Sequence, residues 1–249
     1  MPLSQNDAHK ALVRQFESTT IVLTCYRLIR DPEMAIFKHL ISGQQWSAHL
    51  ELLCRCSPFF CGALKGSFAE SGTKIVNLDA QIWVLECFHH WLYYRDLRWL
   101  TPNIFDKKTI SDYRALRQEQ CVQILAFADQ YDIPELSTMA VAQLCSLLNL
   151  SRGTDADAIV FAQDHLPETS PIIALLAEAV FRFGIVRDGG KDVFEKLNQS
   201  FLVAVVKKFF ADREENQGWG KPENRIDTHG VLRAMKLAAG SEKKANAGK

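Results

Sequence analysis

At 249 residues the chain can bury a sizeable core, as one large domain or two small ones. Its 47% hydrophobic and 23% charged residues are ordinary globular usage, and 29 basic side chains balance 29 acidic ones. That balance excludes whole-surface electrostatic binding to nucleic acid or anionic lipid. No apolar run approaches the roughly 20 residues needed to span a bilayer, so no membrane association is expected. The polar start, Met1-Pro-Leu-Ser-Gln-Asn-Asp, lacks the basic and apolar regions of a secretory signal. The seven Cys then read as reduced, mostly buried thiols, and the cytoplasm or nucleus is the expected location.

Taken in chain order, Asp7 to Phe16 carries Ala8, Leu12, Val13 and Phe16, the pattern of a short amphipathic helix. Ile21-Val-Leu-Thr-Cys-Tyr26 is β-branched and aromatic and predicts a strand. Met34 to Ile41 predicts a second strand. Ser42-Gly-Gln supplies turn chemistry before a short strand ending near Trp46. His49 to Cys56 predicts a helix with Leu50, Leu53 and Cys54 on one side. Ser57-Pro58 starts another, since Ser caps and Pro is favoured at the first helical position; it carries Phe59, Phe60 and Leu64 inward and ends at Lys65-Gly-Ser. Thr73 to Leu78 predicts a further strand.

From Asp79 the chain turns helical. Asp79 is the expected cap of a helix whose Val84, Phe88, Trp91 and Leu92 share one face. Arg95 to Arg117 reads as an irregular polar loop, long for a connection inside a domain. Glu119 to Tyr131 resumes the helix with Cys121, Ile124, Leu125 and Ala128 on one stripe. Asp132-Ile-Pro134 breaks it, and Pro134 opens a helix with Leu136, Met139, Ala140, Gln143, Leu144 and Leu147 on its face. Thr154 and Ser170-Pro171 are further expected helix starts. Ile172, Leu176, Ala179, Val180 and Phe183 make one stripe, and Leu202, Val205, Val206 and Phe209 another. Residues 213–249 have the composition of a disordered tail that allows a short helix at Thr228 to Ala239.

This order of elements predicts an α+β arrangement, a small mixed sheet flanked by a cluster of helices, then an all-helical extension over 151–212. The run Trp46-Ser-Ala-His-Leu-Glu-Leu-Leu-Cys-Arg-Cys-Ser-Pro-Phe-Phe60 resembles the BTB/POZ family, which has an aromatic residue, a His shortly after, and a helix ending in Ser-Pro-Phe-Phe. Gly66-Ser-Phe-Ala-Glu-Ser71 resembles that family's Phe-x-Glu-Ser segment, and Ile75-Val-Asn-Leu78 its next strand. Phe88-x-x-Trp91-Leu92-Tyr93 and Ala128-Asp129-Gln-Tyr131-Asp-Ile-Pro134-Glu-Leu136 continue the likeness. The similarity covers about residues 8 to 150 in consistent order, within a 1–150 domain, and its spacing is closest to fungal-type members. The chain departs from the pattern where Ser18-Thr19-Thr20 replaces an Asp common before the first strand, and where Tyr94-Arg95 stands in place of Gly.

The resemblance implies a BTB/POZ fold and a protein-interaction adaptor rather than an enzyme. Such a scaffold self-associates as a homodimer, here through the first helix around Leu12, Val13 and Phe16, and recruits protein partners. Phe68-Ala69-Glu70 sits where some adaptors of this family touch a cullin scaffold of a ubiquitin ligase, an apolar anchor beside a charge. The alternative is a scaffold in transcriptional or chromatin regulation acting through recruited partners. The chain has no zinc-finger spacing and no basic stripe, so direct nucleic-acid contact is not expected.

No catalytic, cofactor or metal residue is expected. His49 reads as a helix-start residue. Cys54, Cys56 and Cys61 lack the Cys-x-x-Cys pairs of a structural zinc site, and Cys54 and Cys56 diverge by about 200° around a helix. His89-His90 are adjacent rather than one turn apart. There is no Gly-rich phosphate loop, no Gly-x-Ser-x-Gly elbow and no kinase set. Trp46 and Trp91 read as packing; Trp99 and Trp219 lie in polar segments, as surface anchors or folded back.

Overall fold

The computed structural model describes residues 33–97, 110–185 and 196–215, with side chains from 116 in the second stretch and up to 208 in the third. The expected helix at Asp7 to Phe16, the strand Ile21 to Tyr26 and the helix at Thr228 to Ala239 lie outside the described residues, as do Trp99 and Trp219. The chain divides into two units, Met1–Ala80 and Gln81–Lys249.

The first unit is built on a hairpin of β1 (Met34–His39) and β2 (Gln45–His49), antiparallel with Phe37 opposite Trp46. The period of two turns Ala35, Phe37 and His39 inward, as a half-buried strand requires. The turn closes through His39 N–H to the Gln44 carbonyl at 2.8 Å, with Gly43 at φ +73°. That left-handed angle suits glycine, which has no Cβ to clash. The Nδ1 of His39 accepts the Ser42 N–H at 3.0 Å, while the Ser42 hydroxyl lies 2.6 Å from the same nitrogen.

His49 passes straight into α1 (Leu50–Cys56), and Ser57 alone separates it from α2 (Pro58–Lys65). Ser57 ends one helix and begins the next. Its N–H donates to the Leu53 carbonyl, and its Oγ accepts the Phe60 N–H at 3.1 Å. A short α3 (Ala69–Thr73), not expected from the sequence, precedes β3 (Ile75–Leu78). Strand β3 lies parallel to β1, pairing Ile36 with Ile75, and the order is β2-β1-β3. Phe37, Leu53, Phe60, Leu64 and Leu78 form the core of this unit. Trp46 stacks on Phe37 at 5.5 Å and is only half-buried.

The second unit is helical among its described residues: α4 (Ile82–Tyr94), α5 (Ile110–Gln130), α6 (Pro134–Ser151), α7 (Ala156–His165), α8 (Pro171–Phe183) and α9 (Gln199–Glu215). Helices α6 and α7 pack on α5, and α9 packs on α8. Trp91, Phe88, Ile124, Leu125, Leu144 and Leu176 are fully buried. The break between α5 and α6 is a Schellman turn. Asp132 adopts φ +47°, Ile133 N–H reaches the Ala128 carbonyl at 2.8 Å, and Asp132 N–H reaches Asp129.

Several expected boundaries move. Asp79 does not cap α4, which begins at Ile82 with Gln81 at its N-cap and no side-chain cap bond. Helix α5 starts at Ile110, so the end of the expected 95–117 loop is helical; Arg114, Ala115, Leu116 and Arg117 are all strong helix formers. Thr154 does not start a helix. It bridges to Ile185, its N–H bonded to the Gly184 carbonyl at 3.0 Å, and α7 starts at Ala156. Helix α9 runs through Arg213 to Glu215, inside the expected tail. Among its described side chains Phe201 is the buried one, while Leu202 and Val205 are half-buried and Val206 is exposed; Phe209 lies outside the described side chains. The α+β class holds, with a small sheet and several helices. Among the described residues no helix is long and apolar enough to cross a membrane.

Candidate functional site

The segment 66–74 joins α2 to β3 and carries Phe68 and Glu70. Its course begins with Gly66, where a Cβ would lie 2.3 Å from the Gly62 carbonyl oxygen. Only glycine permits so tight an exit from α2. The chain then places Phe68 at the N-cap of α3 in extended conformation. The Phe68 carbonyl accepts the Ser71 N–H at 3.0 Å and the Ser71 hydroxyl at 2.7 Å.

Lys74 closes the other end. Its backbone turns left-handed at φ +56°, and its N–H donates to the Glu70 carbonyl at 2.7 Å. Its ammonium donates to the Leu64 carbonyl at 2.9 Å and pairs with Glu33 at 3.3 Å. The short helix is thereby tied to the end of α2 and to the start of β1. The backbone is braced while two side chains stay uncommitted. Phe68 is 66% exposed and makes no ring contact among the described residues. The Glu70 carboxylate has no hydrogen bond or ion pair among them. An exposed aromatic ring beside an unengaged carboxylate offers an apolar anchor and an acceptor at once.

Of the residues that hold this segment, Gly66 was legible in the sequence as part of the expected helix end at Lys65-Gly-Ser. Lys74 had no such signal, because a lysine at positive φ with its ammonium on a backbone carbonyl is a tertiary outcome.

The other singled-out residues are dispersed. Leu12, Val13 and Phe16 lie outside the described residues. His49 occupies the N-cap of α1 without a side-chain cap bond. The Cys56 thiol is buried and donates to the Leu53 carbonyl at 3.2 Å. Cys54 and Cys61 are half-buried, and the Cys61 thiol is near enough to disfavour ionisation of Cys54. His90 Nε2 lies 2.6 Å from Asp96 and its ring stacks on Tyr94, while His89 meets Tyr93 edge-on. Among the described residues no group of three or more His, Cys, Asp or Glu is placed to hold a metal ion.

The thiols of the second unit are poor nucleophiles. Burial, with a smaller contribution from Asp96, pushes Cys87 up to about 12, and burial raises Cys121 as well. Glu178 shows the opposite balance. Burial alone would raise its carboxyl, but hydrogen bonds from Lys208 and Arg182 outweigh that and hold it below the usual carboxylate range. These are structural settings, distant in sequence from Phe68 and Glu70. No protein-family model matches the chain, and no curated protein matches it.

Proposed function

We propose that the chain is a BTB/POZ-type interaction adaptor in which Phe68 and Glu70 dock a cullin scaffold of a ubiquitin ligase. The observation that carries this reading is the pairing of a two-thirds exposed Phe68 with an unengaged Glu70 on a backbone braced from both sides. Bracing matters physically. A partner that meets a pre-ordered segment need not supply its ordering entropy. The resemblance running from Trp46 to Leu136 supports the same reading, as does a β1–β2 hairpin leading directly into the α1–α2 pair, with β3 parallel to β1.

In this reading the chain binds rather than catalyses, works in the cytoplasm or nucleus, and self-associates through the helix around Leu12, Val13 and Phe16. Light scattering of the purified chain tests self-association: a dimer mass is expected, and a strict monomer at high concentration overturns it. Docking is tested by capture of a cullin with wild type and with a Phe68→Ala, Glu70→Ala double variant. The variant is expected to lose at least about thirtyfold in affinity, as removal of a central aromatic anchor does. Equal capture, or no capture by wild type, would overturn the docking assignment.

A further inference from the structure

The corner between α1 and α2 places two thiols face to face. Ser57 is the single residue between the helices, and it serves both as the end of one and the cap of the other. Moving away from that corner, Cys54 on α1 comes near enough to Cys61 on α2 for the second thiol to disfavour ionisation of the first. One turn farther along each helix, Glu51 and Lys65 pair at 3.1 Å. These positions step by three and four residues, so the two contacts are successive rungs on the same pair of facing helix surfaces. The ion pair shows, independently of the thiols, that these two helix surfaces face one another. Both thiols are half-buried and within reach of a small reagent, whereas Cys56, Cys87, Cys121 and Cys145 are buried.

We propose that Cys54 and Cys61 form a reversible disulfide across the α1–α2 corner when the chain meets a low-molecular-weight disulfide such as oxidised glutathione. One of the two cysteines, as thiolate, attacks a glutathione sulfur. The glutathione S–S bond breaks, and one glutathione leaves as a thiolate that takes up a proton. The second cysteine gives up its proton and attacks the protein-bound sulfur, forming the Cys54–Cys61 bond and expelling the other glutathione, which is protonated in turn. Two protein thiols are oxidised and one glutathione disulfide is reduced to two thiols. Burial, opposed by Lys65 and reinforced by Cys61, holds the Cys54 thiol up at about 11. Closure therefore quickens as pH rises towards that value, because the thiolate is the attacking species.

The experiment uses the reduced full chain equilibrated in glutathione buffers of graded oxidation, quenched by alkylation and mapped by peptide mass. A linked Cys54–Cys61 peptide lighter by two hydrogens is expected to become the majority species in the most oxidising buffer. Dithiothreitol should reverse it, and Cys54→Ser or Cys61→Ser should abolish it while Cys56→Ser leaves it. If wild type in that buffer carries both residues as free thiols, or as separate glutathione adducts, the inference is wrong. This readout needs no partner, so it stands or falls apart from the docking proposal.

Discussion

The two units hold their buried polar groups in different ways. In the first, the buried polar residues among those described are His39 and Ser57, and both bond within three residues of themselves, to Ser42 and to Phe60. In the second, Gln118 on α5 reaches across the unit. It donates to Ser151 at 2.8 Å and to the Gly153 carbonyl at 3.0 Å, and its oxygen accepts the Asp155 N–H at 2.8 Å. One side chain thereby ties α5 to the α6–α7 connection. Local satisfaction builds a small scaffold from short elements and leaves side chains such as Phe68 for other uses. The long-range bonds of Gln118 tie together a helical array whose Cys87, Cys121 and Cys145 thiols are buried.

The contrast sets the size of mutational effects. The largest is expected at Trp91, which is fully buried, stacks near Phe88 and donates its indole N–H to the Met139 sulfur at 3.2 Å. Trp91→Ala should cost about 3–5 kcal/mol in urea unfolding, since the space left cannot fully close. A cost below about 1 kcal/mol would mean that the second unit is not the tightly packed body described.

The polar comparison is sharper. Gln118→Ala should cost about 1–3 kcal/mol, because it strands the Asp155 N–H in a buried place. Ser57→Ala removes a single cap and should cost about 1 kcal/mol. Equal losses, or the reverse order, would break the distinction between local and long-range satisfaction.

Alkaline pH probes the sealed thiols. Below pH 9 the Cys87 thiol is protonated in both folded and unfolded chains and contributes no pH dependence. Above 9 the unfolded chain loses this proton first, because the folded value is raised from 9.0 to about 12. Stability should then fall by up to about 1.4 kcal/mol per pH unit from this group. Cys87→Ala should flatten the fall measured by chemical unfolding at pH 8, 9 and 10. Parallel curves for wild type and variant would place Cys87 in contact with water.

Much of this architecture was readable where a boundary rests on adjacent residues. Ser57-Pro58 and Ser170-Pro171 open helices as expected, each Ser accepting a backbone N–H, and Asp132-Ile-Pro134 ends one. Burial decided by partners was not readable. Leu202, Val205 and Val206 look like the inner stripe of α9, yet Phe201 is the buried one among the described side chains, with its N–H held by Asn198 Oδ1 at 2.8 Å. Which face of α9 is buried depends on what packs against it, and no hydropathy pattern records that. The same limit applies at the candidate site. Phe68 and Glu70 could be singled out through the resemblance to the BTB/POZ family, but the brace from Lys74 to Leu64 and Glu33 depends on the packed chain.

The smallest stability effect and the largest binding effect should therefore fall on the same residues. Phe68→Ala with Glu70→Ala should change unfolding free energy by no more than about 0.5 kcal/mol, as expected for exposed side chains that make no cap bond and no core contact. The most direct measurement is the affinity of wild type and this variant for a purified cullin, with stability recorded on the same samples. Binding by wild type that drops at least about thirtyfold in an equally stable variant is the predicted result. Unchanged affinity in a stably folded variant, or no binding by wild type, would contradict the account.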